Sequence, residues 1–100
     1  MKVIDIKEEE FNDKIKGNKV LVDCYANWCG PCKMLSPIID EVASQIDNCE
    51  FYKLDIDNAN NVAKQYGIMS IPTLLVFEKG SLVRQNVGFI SKEELIKFIN

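Results

Sequence analysis

The sequence has no histidine, one tryptophan and only four cysteines among its 100 residues. Cysteine is therefore well below the roughly 8–10% share that marks small domains held together by disulfides. A chain of this mass can bury roughly 65% of the surface that its unfolded form exposes, which is enough for one core. Structural disulfides are not needed for folding, and the cysteines call for another explanation.

Long apolar runs and basic patches are also missing. The segment Ile71–Phe77 contains a proline and a threonine and is far shorter than the ~20 apolar residues that span a membrane. The first residues, Met1–Phe11, carry four acidic side chains where a secretory segment needs an apolar run. The lysines are scattered and the net charge is −3, so the chain has no cluster of positive charges that could bind the phosphate backbone of a nucleic acid. We therefore expect a cytoplasmic protein that binds neither membranes nor nucleic acids.

The pattern of apolar residues predicts one α/β domain over residues 1–100, with the element order βαβαβαββα. It has a mixed five-stranded sheet with four flanking helices. The predicted strands are Val3–Ile6, Lys19–Ala26, Glu50–Asp55, Thr73–Glu78 and Ser81–Val87. The predicted helices are Lys7–Lys16, Pro31–Gln45, Asn58–Tyr66 and a last one opened by a capping box at Ser91 and Glu94. A tight turn at Lys79-Gly80 makes the last two strands antiparallel neighbours.

Two cysteines, Cys29 and Cys32, lie where the second predicted strand meets the second predicted helix. Function in open α/β sheets concentrates at such junctions. Unpaired N–H groups and the positive end of the helix dipole should favour the thiolate of Cys29, which is the nucleophilic form. Cys32 should lie under the first helical turn, less exposed but within reach for a disulfide. We expect one cysteine to attack a substrate and the other to resolve the product.

The sequence around this pair resembles the thioredoxin family. The resemblance covers nearly the whole chain and rests on WCGPC at Trp28–Cys32, on Asp23 upstream and on Ile71-Pro72-Thr73 downstream. Further matching positions are Lys33, Pro37, Lys53, Gly80 and Gly88. The resemblance implies the thioredoxin fold and a general protein disulfide reductase that needs no cofactor or metal. It also implies two kinds of partner, a flavin-dependent thioredoxin reductase and disulfide-containing substrate proteins, and we expect the protein to be a monomer.

The resemblance also implies roles for individual residues. Cys29 resembles the attacking cysteine, Cys32 the resolving one, and Asp23 the buried carboxylate that helps Cys32 lose its proton. The strand pattern supports this independently, because adjacent parallel strands would bring Asp23 and Lys53 to a similar depth, where they could pair or share water. Pro72 resembles the cis-proline of the family, and an Ile-Pro bond ahead of an apolar strand is a plausible site for that isomer.

The residues around the cysteines are predicted to form a flat apolar docking surface, where an extended substrate segment could pair with the backbone near Ile71. This docking surface comprises Trp28, Gly30, Pro31, Met69, Ile71, Pro72, Val87 and Gly88. The sequence departs from the commonest family pattern at Cys24 and Tyr25, where an aromatic residue and tryptophan are usual, and at Met69-Ser70. These departures concern the shape of the docking surface rather than a catalytic group.

Other interpretations of the same residues remain open. A zinc or iron–sulfur site needs about four ligands, whereas Cys24 should lie on the strand face opposite Asp23 and Cys49 at the far end of the sheet, so both are interpreted as small hydrophobes. The scaffold could also serve a disulfide oxidase or isomerase, although the resemblance implies that the Gly-Pro between the cysteines belongs to the reducing members. A binding module in a larger complex is a third possibility.

Four of the candidate residues have structural alternatives. Asp23 could be a charge at the edge of a strand that points to water, although its neighbours are all apolar. Trp28 could be an ordinary core residue, since tryptophan is highly buried on average. Met69 could fill a gap in the core rather than contact a substrate. Lys53 could be a surface lysine that buries only its aliphatic part.

Overall fold

The five strands of the computed structural model, which describes residues 1–100, form one mixed sheet. They are β1 (Val3–Ile6), β2 (Val20–Tyr25), β3 (Glu50–Asp55), β4 (Thr73–Glu78) and β5 (Ser81–Val87). Their spatial order is β1-β3-β2-β4-β5. Strands β1, β3 and β2 run parallel, whereas β4 is antiparallel to β2 and β5 is antiparallel to β4. The predicted mixed five-stranded sheet and the predicted hairpin are confirmed.

Four α-helices flank the sheet, as predicted. They are α1 (Phe11–Lys14), α2 (Gly30–Gln45), α3 (Asn60–Gln65) and α4 (Lys92–Ile99). The third begins later than the sequence pattern indicates, because the Asp55 carboxylate accepts the Asp57 N–H at 3.0 Å and opens a 3-10 turn over Ile56–Asn58. None of the helices has the length and apolar composition needed to cross a membrane.

The first helix is much shorter than the predicted Lys7–Lys16 span. A 3-10 turn over Glu8–Glu10 precedes a single α-helical turn. The Glu10 N–H donates to the Lys7 carbonyl at 2.9 Å, and the Glu10 carboxylate accepts the Lys7 N–H at 2.9 Å, so the turn closes over three residues. The Glu8 carboxylate accepts the N–H of Val62 in the first turn of α3 at 2.9 Å. These contacts tie the segment to α3 and prevent a continuous α-helix.

The side chains of β2 alternate between two apolar layers. Val20, Val22 and Cys24 belong to the layer covered by α1 and α3. Leu21 belongs to the layer covered by α2 and α4, and Asp23 shares its face of the sheet. All five side chains are buried, so β2 is covered on both faces as predicted. One carboxylate therefore lies inside the layer beneath α2.

Two local motifs predicted near the end of the chain are present, a hairpin turn before β5 and a capping box before α4. Lys79 and Gly80 both have positive φ, 52° and 88°, as a two-residue hairpin turn requires. The Glu94 N–H donates to Ser91 Oγ at 3.2 Å, and the Ser91 N–H donates to the Glu94 carboxylate at 2.9 Å. The predicted turn and capping box are thus confirmed: the turn joins β4 to β5, and the capping box opens α4 after the loop that carries Gly88.

Candidate active site

Cys29 and Cys32 are joined by a disulfide at the N-terminus of α2, with their Cα atoms 5.3 Å apart. Cys29 is the N-cap residue, and its Sγ accepts the Cys32 N–H at 3.2 Å. The same sulfur lies 3.8 Å from the carbonyl oxygen of Ile71. An amide donor and a helix N-terminus both stabilise negative charge on sulfur. The reduced form of Cys29 is therefore placed in surroundings that favour the thiolate.

The two cysteine residues are equally buried in this disulfide form. Cys29 and Cys32 are each 4% exposed, whereas the sequence predicted that Cys32 would be the less exposed one. The reason is that the disulfide draws both sulfurs together into one small apolar cluster with Ala26, against Tyr25 and Ile71. The order of exposure expected for the pair is therefore wrong for the oxidised state.

Asp23 is buried beneath the first turn of α2. It is 4% exposed, and its Oδ1 has no hydrogen-bond partner. Burial raises its pKa from 3.8 to about 7, while Lys53 opposes this rise and Asp40 adds to it. Asp23, Lys53 and Cys32 line the same cavity of about 140 Å³. A carboxyl group whose pKa is near neutrality can both accept and return a proton at physiological pH.

Lys53 lies beside Asp23 because the two strands that carry them are in parallel register. Residue 53 of β3 is the direct partner of residue 23 of β2. The two side chains form no direct salt bridge. Instead, the Lys53 ammonium lies 5.6 Å from the centroid of the Tyr25 ring, and the residue is partly buried. The adjacent parallel strands predicted from the sequence are confirmed.

Trp28 and Met69 present large apolar side chains to solvent near the cysteines. Trp28 is 71% exposed and Met69 is 95% exposed. The indole Nε1–H of Trp28 donates to the Asp57 carboxylate at 2.8 Å. Neither residue packs in the core, so the core interpretation of Trp28 and the gap-filling interpretation of Met69 are both wrong.

The remaining residues of the predicted docking surface come from three backbone segments. The Ile71–Pro72 peptide bond is cis, as the resemblance implied. The Gly88 N–H donates to the Pro72 carbonyl at 2.8 Å, with Gly88 at a φ of 98°, a conformation that favours glycine. Val87 is exposed next to it, while Gly30 and Pro31 are exposed in the first turn of α2. The structure thus leaves Val87, Gly30 and Pro31 exposed, together with Trp28 and Met69.

Comparison with known proteins bears on what this arrangement does. The family model described as Thioredoxin matches residues 2–100. The chain belongs to the thioredoxin family. It is 42% identical to the thioredoxin of Chlamydia trachomatis, over 95% of this chain and 93% of that one. It is 41% identical to the thioredoxin of Staphylococcus epidermidis, over 100% of this chain and 97% of that one.

A solved structure gives the same result for the fold. A mutant thioredoxin from Halobacterium salinarum NRC-1 superposes with a TM-score of 0.91 at 33% identity, over 98% of this chain and 88% of that one. The thioredoxin fold is thereby confirmed. Together with the Cys29–Cys32 pair, membership in the thioredoxin family shows that the protein is a thiol–disulfide oxidoreductase that exchanges a dithiol for a disulfide.

The sequence did not point to three residues near the thioredoxin-family site. Asp57 holds the Trp28 indole, Ser36 lines the cavity shared by Asp23 and Cys32, and Phe89 is half-exposed directly after Gly88. The sequence does contain a signal for Phe89, because this large aromatic residue directly follows Gly88, which matches the family pattern, in the loop before α4. Asp57 could have been suspected because the carboxyl ends of β2 and β3 meet at one edge of the sheet.

Cys24 and Cys49 are free and buried, away from the disulfide. Burial raises the pKa of the Cys24 thiol well above its usual range and that of Cys49 to about 11. Both thiols therefore stay protonated and weakly nucleophilic. No group of three or more Cys, Asp or Glu side chains is arranged to hold a metal ion. Each spare cysteine packs in an apolar layer, on opposite faces of the sheet.

Proposed function

We propose that this thioredoxin-family protein is a general protein disulfide reductase, re-reduced by a flavin-dependent thioredoxin reductase. The observation that carries the proposal is the Cys29–Cys32 pair at the N-terminus of α2, flanked by exposed apolar side chains. A small docking surface without deep pockets suits many different protein substrates better than one small molecule. The protein acts as a monomer in the cytoplasm.

The first step is attack by the Cys29 thiolate on one sulfur of a substrate disulfide. The substrate S–S bond breaks, a mixed disulfide with Cys29 forms, and the other substrate sulfur leaves as a thiolate and takes a proton from solvent. The Cys32 N–H that donates to Cys29 Sγ stabilises the attacking thiolate. The N-terminus of α2 acts in the same direction.

The second step frees the substrate. Cys32 gives its proton to the Asp23 carboxylate, and its sulfur attacks Cys29 Sγ. The mixed disulfide breaks, the Cys29–Cys32 disulfide forms, and the second substrate sulfur leaves as a thiolate that is then protonated. Two electrons have passed to the substrate, and the thioredoxin reductase returns them. The cavity that Asp23 shares with Cys32 supports this proton transfer, and Lys53 keeps the pKa of Asp23 from rising further.

Substrates are held by the docking surface. Trp28, Met69 and Val87 provide exposed apolar area, and Gly30 and Pro31 keep the first turn of α2 free of large side chains. On the other side, Ile71, Pro72 and Gly88 offer backbone to an extended substrate segment. The burial of apolar side chains on both sides would hold the substrate disulfide over Cys29.

The proposal is tested by the reduction of insulin disulfides, with and without a flavin-dependent thioredoxin reductase and its electron source. If the proposal is right, each molecule of this protein should reduce many insulin disulfides when the thioredoxin reductase and its electron source are present, and only then. A binding module would show no turnover in either condition. A disulfide oxidase would instead oxidise a reduced protein substrate, and an isomerase would rearrange a scrambled one, faster than either reduces insulin. Either result would contradict the proposal.

A further inference from the structure

Three charged side chains form a row across the parallel part of the sheet. Lys53 of β3 is the register partner of Asp5 in β1 and of Asp23 in β2. Register partners in adjacent parallel strands point to the same face of a sheet, and Tyr25 lies two residues beyond Asp23, so it shares that face as well. A lysine therefore stands between two carboxylates, with an aromatic ring at the end of the row.

Tyr25 contacts two members of the row, Asp5 and Lys53. Its hydroxyl donates to the Asp5 carboxylate, 3.1 Å from Oδ2, and the Lys53 ammonium lies 5.6 Å from its ring centroid. The ring also separates two spaces. Asp5 and Tyr25 line an open groove of about 610 Å³, whereas Tyr25, Lys53, Asp23 and Cys32 line the smaller cavity of about 140 Å³. Tyr25 therefore lies between the open groove and the cavity that Asp23 lines.

We propose that Tyr25, anchored by Asp5, is a positioning residue that holds the Lys53 ammonium beside Asp23 and so tunes the proton acceptor for Cys32. A lysine side chain is flexible and strongly hydrated, so its place must be fixed by its neighbours. A ring within about 6 Å attracts an ammonium group through its quadrupole. The inference rests on the role proposed above for Asp23.

The other charged groups around the cavity do not take the place of Lys53 in lowering the pKa of Asp23. Asp40 acts on Asp23 from α2 and raises its pKa, in the direction opposite to Lys53. Lys33 of α2 lines the cavity but is exposed. The pKa of Tyr25 is raised to about 12 by burial and by the nearby Asp5, so its hydroxyl stays a donor at working pH. Lys53 is thus the cation that lowers the pKa of Asp23, and Tyr25 is the side chain that contacts it.

The experiment is an NMR titration of the Asp23 side-chain carboxyl carbon in the oxidised protein, where the active-site thiols do not titrate. Tyr25→Leu should raise the apparent pKa of Asp23 by about 0.3–0.7 unit. Tyr25→Phe keeps the ring but loses the bond to Asp5, so it should cause a smaller rise. Tyr52→Phe is the matched control, because Tyr52 also donates to a carboxylate and has a lysine over its ring, but on the opposite face of the sheet. Tyr52→Phe should leave the pKa of Asp23 unchanged.

A double-mutant comparison separates this inference from the proposed function. Lys53→Met should raise the pKa of Asp23, and Tyr25→Leu should add nothing in that background. An unchanged pKa in both Tyr25 variants, while Lys53→Met shifts it, would overturn the positioning role and leave the proposed function intact. Should Tyr25→Leu fail to fold, Tyr25→Phe decides alone. The role proposed for Asp23 as proton acceptor fails separately if Asp23→Ala leaves the pH profile of mixed-disulfide resolution unchanged, and the proposed function fails separately if the parent protein does not reduce insulin with the reductase present.

Discussion

Replacing Asp23 with alanine should stabilise the oxidised protein at neutral pH and cease to do so in acid. The side chain is buried, its Oδ1 lacks a partner, and burial raises its pKa from 3.8 to about 7. The unfolded state therefore loses the Asp23 proton at a lower pH than the folded state does. Stability falls as pH rises from about 4 to about 7, and above that window the loss is constant.

The size of the effect follows from the pKa. Each pKa unit is worth about 1.36 kcal/mol, so a rise from 3.8 to about 7 destabilises the folded protein by about 4 kcal/mol above neutral pH. Truncation to alanine also leaves a space whose cost does not depend on pH. The net gain from Asp23→Ala at pH 8 should therefore be about 1–4 kcal/mol. The stability difference between the two proteins should change by up to about 4 kcal/mol between acid and pH 8.

Urea unfolding of the two oxidised proteins at a series of pH values from 4 to 8 measures this difference directly. Other carboxyl groups titrate over the same range, but their contributions cancel between the two proteins. Asp47→Ala is a suitable control, because Asp47 is exposed and its replacement removes no buried carboxylate. A difference for Asp23→Ala that is independent of pH, or a destabilisation at pH 8, would refute the reasoning.

Three further predictions concern turnover and docking. Asp23→Ala should slow the resolution of mixed disulfides most at low pH, where fewer Cys thiolates form unaided, as stopped-flow measurements across pH would show. Joint replacement of Cys24 and Cys49 by alanine should leave insulin reduction per folded molecule within a few-fold, and a folded but inactive protein would contradict this. Val87→Glu should raise KM for a protein disulfide substrate by about tenfold, equivalent to about 1.4 kcal/mol. Val83→Glu, on the same strand but outside the docking surface, should not raise it.

The features that the sequence predicted well are those fixed by short-range patterns. The period-two alternation of β2 is enough to place Asp23 inside one apolar layer and Cys24 inside the other. The Lys79-Gly80 turn needs two residues of positive φ, and the capping box needs only Ser91 and Glu94. In each case the determining interactions lie within a few residues of one another, so the sequence contains them locally.

The features that it could not predict depend on side chains that meet from distant parts of the chain. The Glu8 carboxylate caps α3 from 54 residues away, which shortens the first helix. Asp57 fixes the Trp28 indole, and Asp5 fixes the Tyr25 hydroxyl, only because β1, β3 and β2 lie side by side. Hydrophobic periodicity carries no information about such contacts between polar side chains.

The central claim is that Cys29 attacks and Cys32 resolves, and trapping of the mixed disulfide tests it most directly. Cys32→Ser should accumulate a covalent adduct with a disulfide substrate, with the substrate attached at Cys29 by mass spectrometry of the digested complex. Cys29→Ser should accumulate none under the same conditions. An adduct at Cys32 in the Cys29→Ser variant, with none at Cys29 in the Cys32→Ser variant, would reverse the roles and contradict the account.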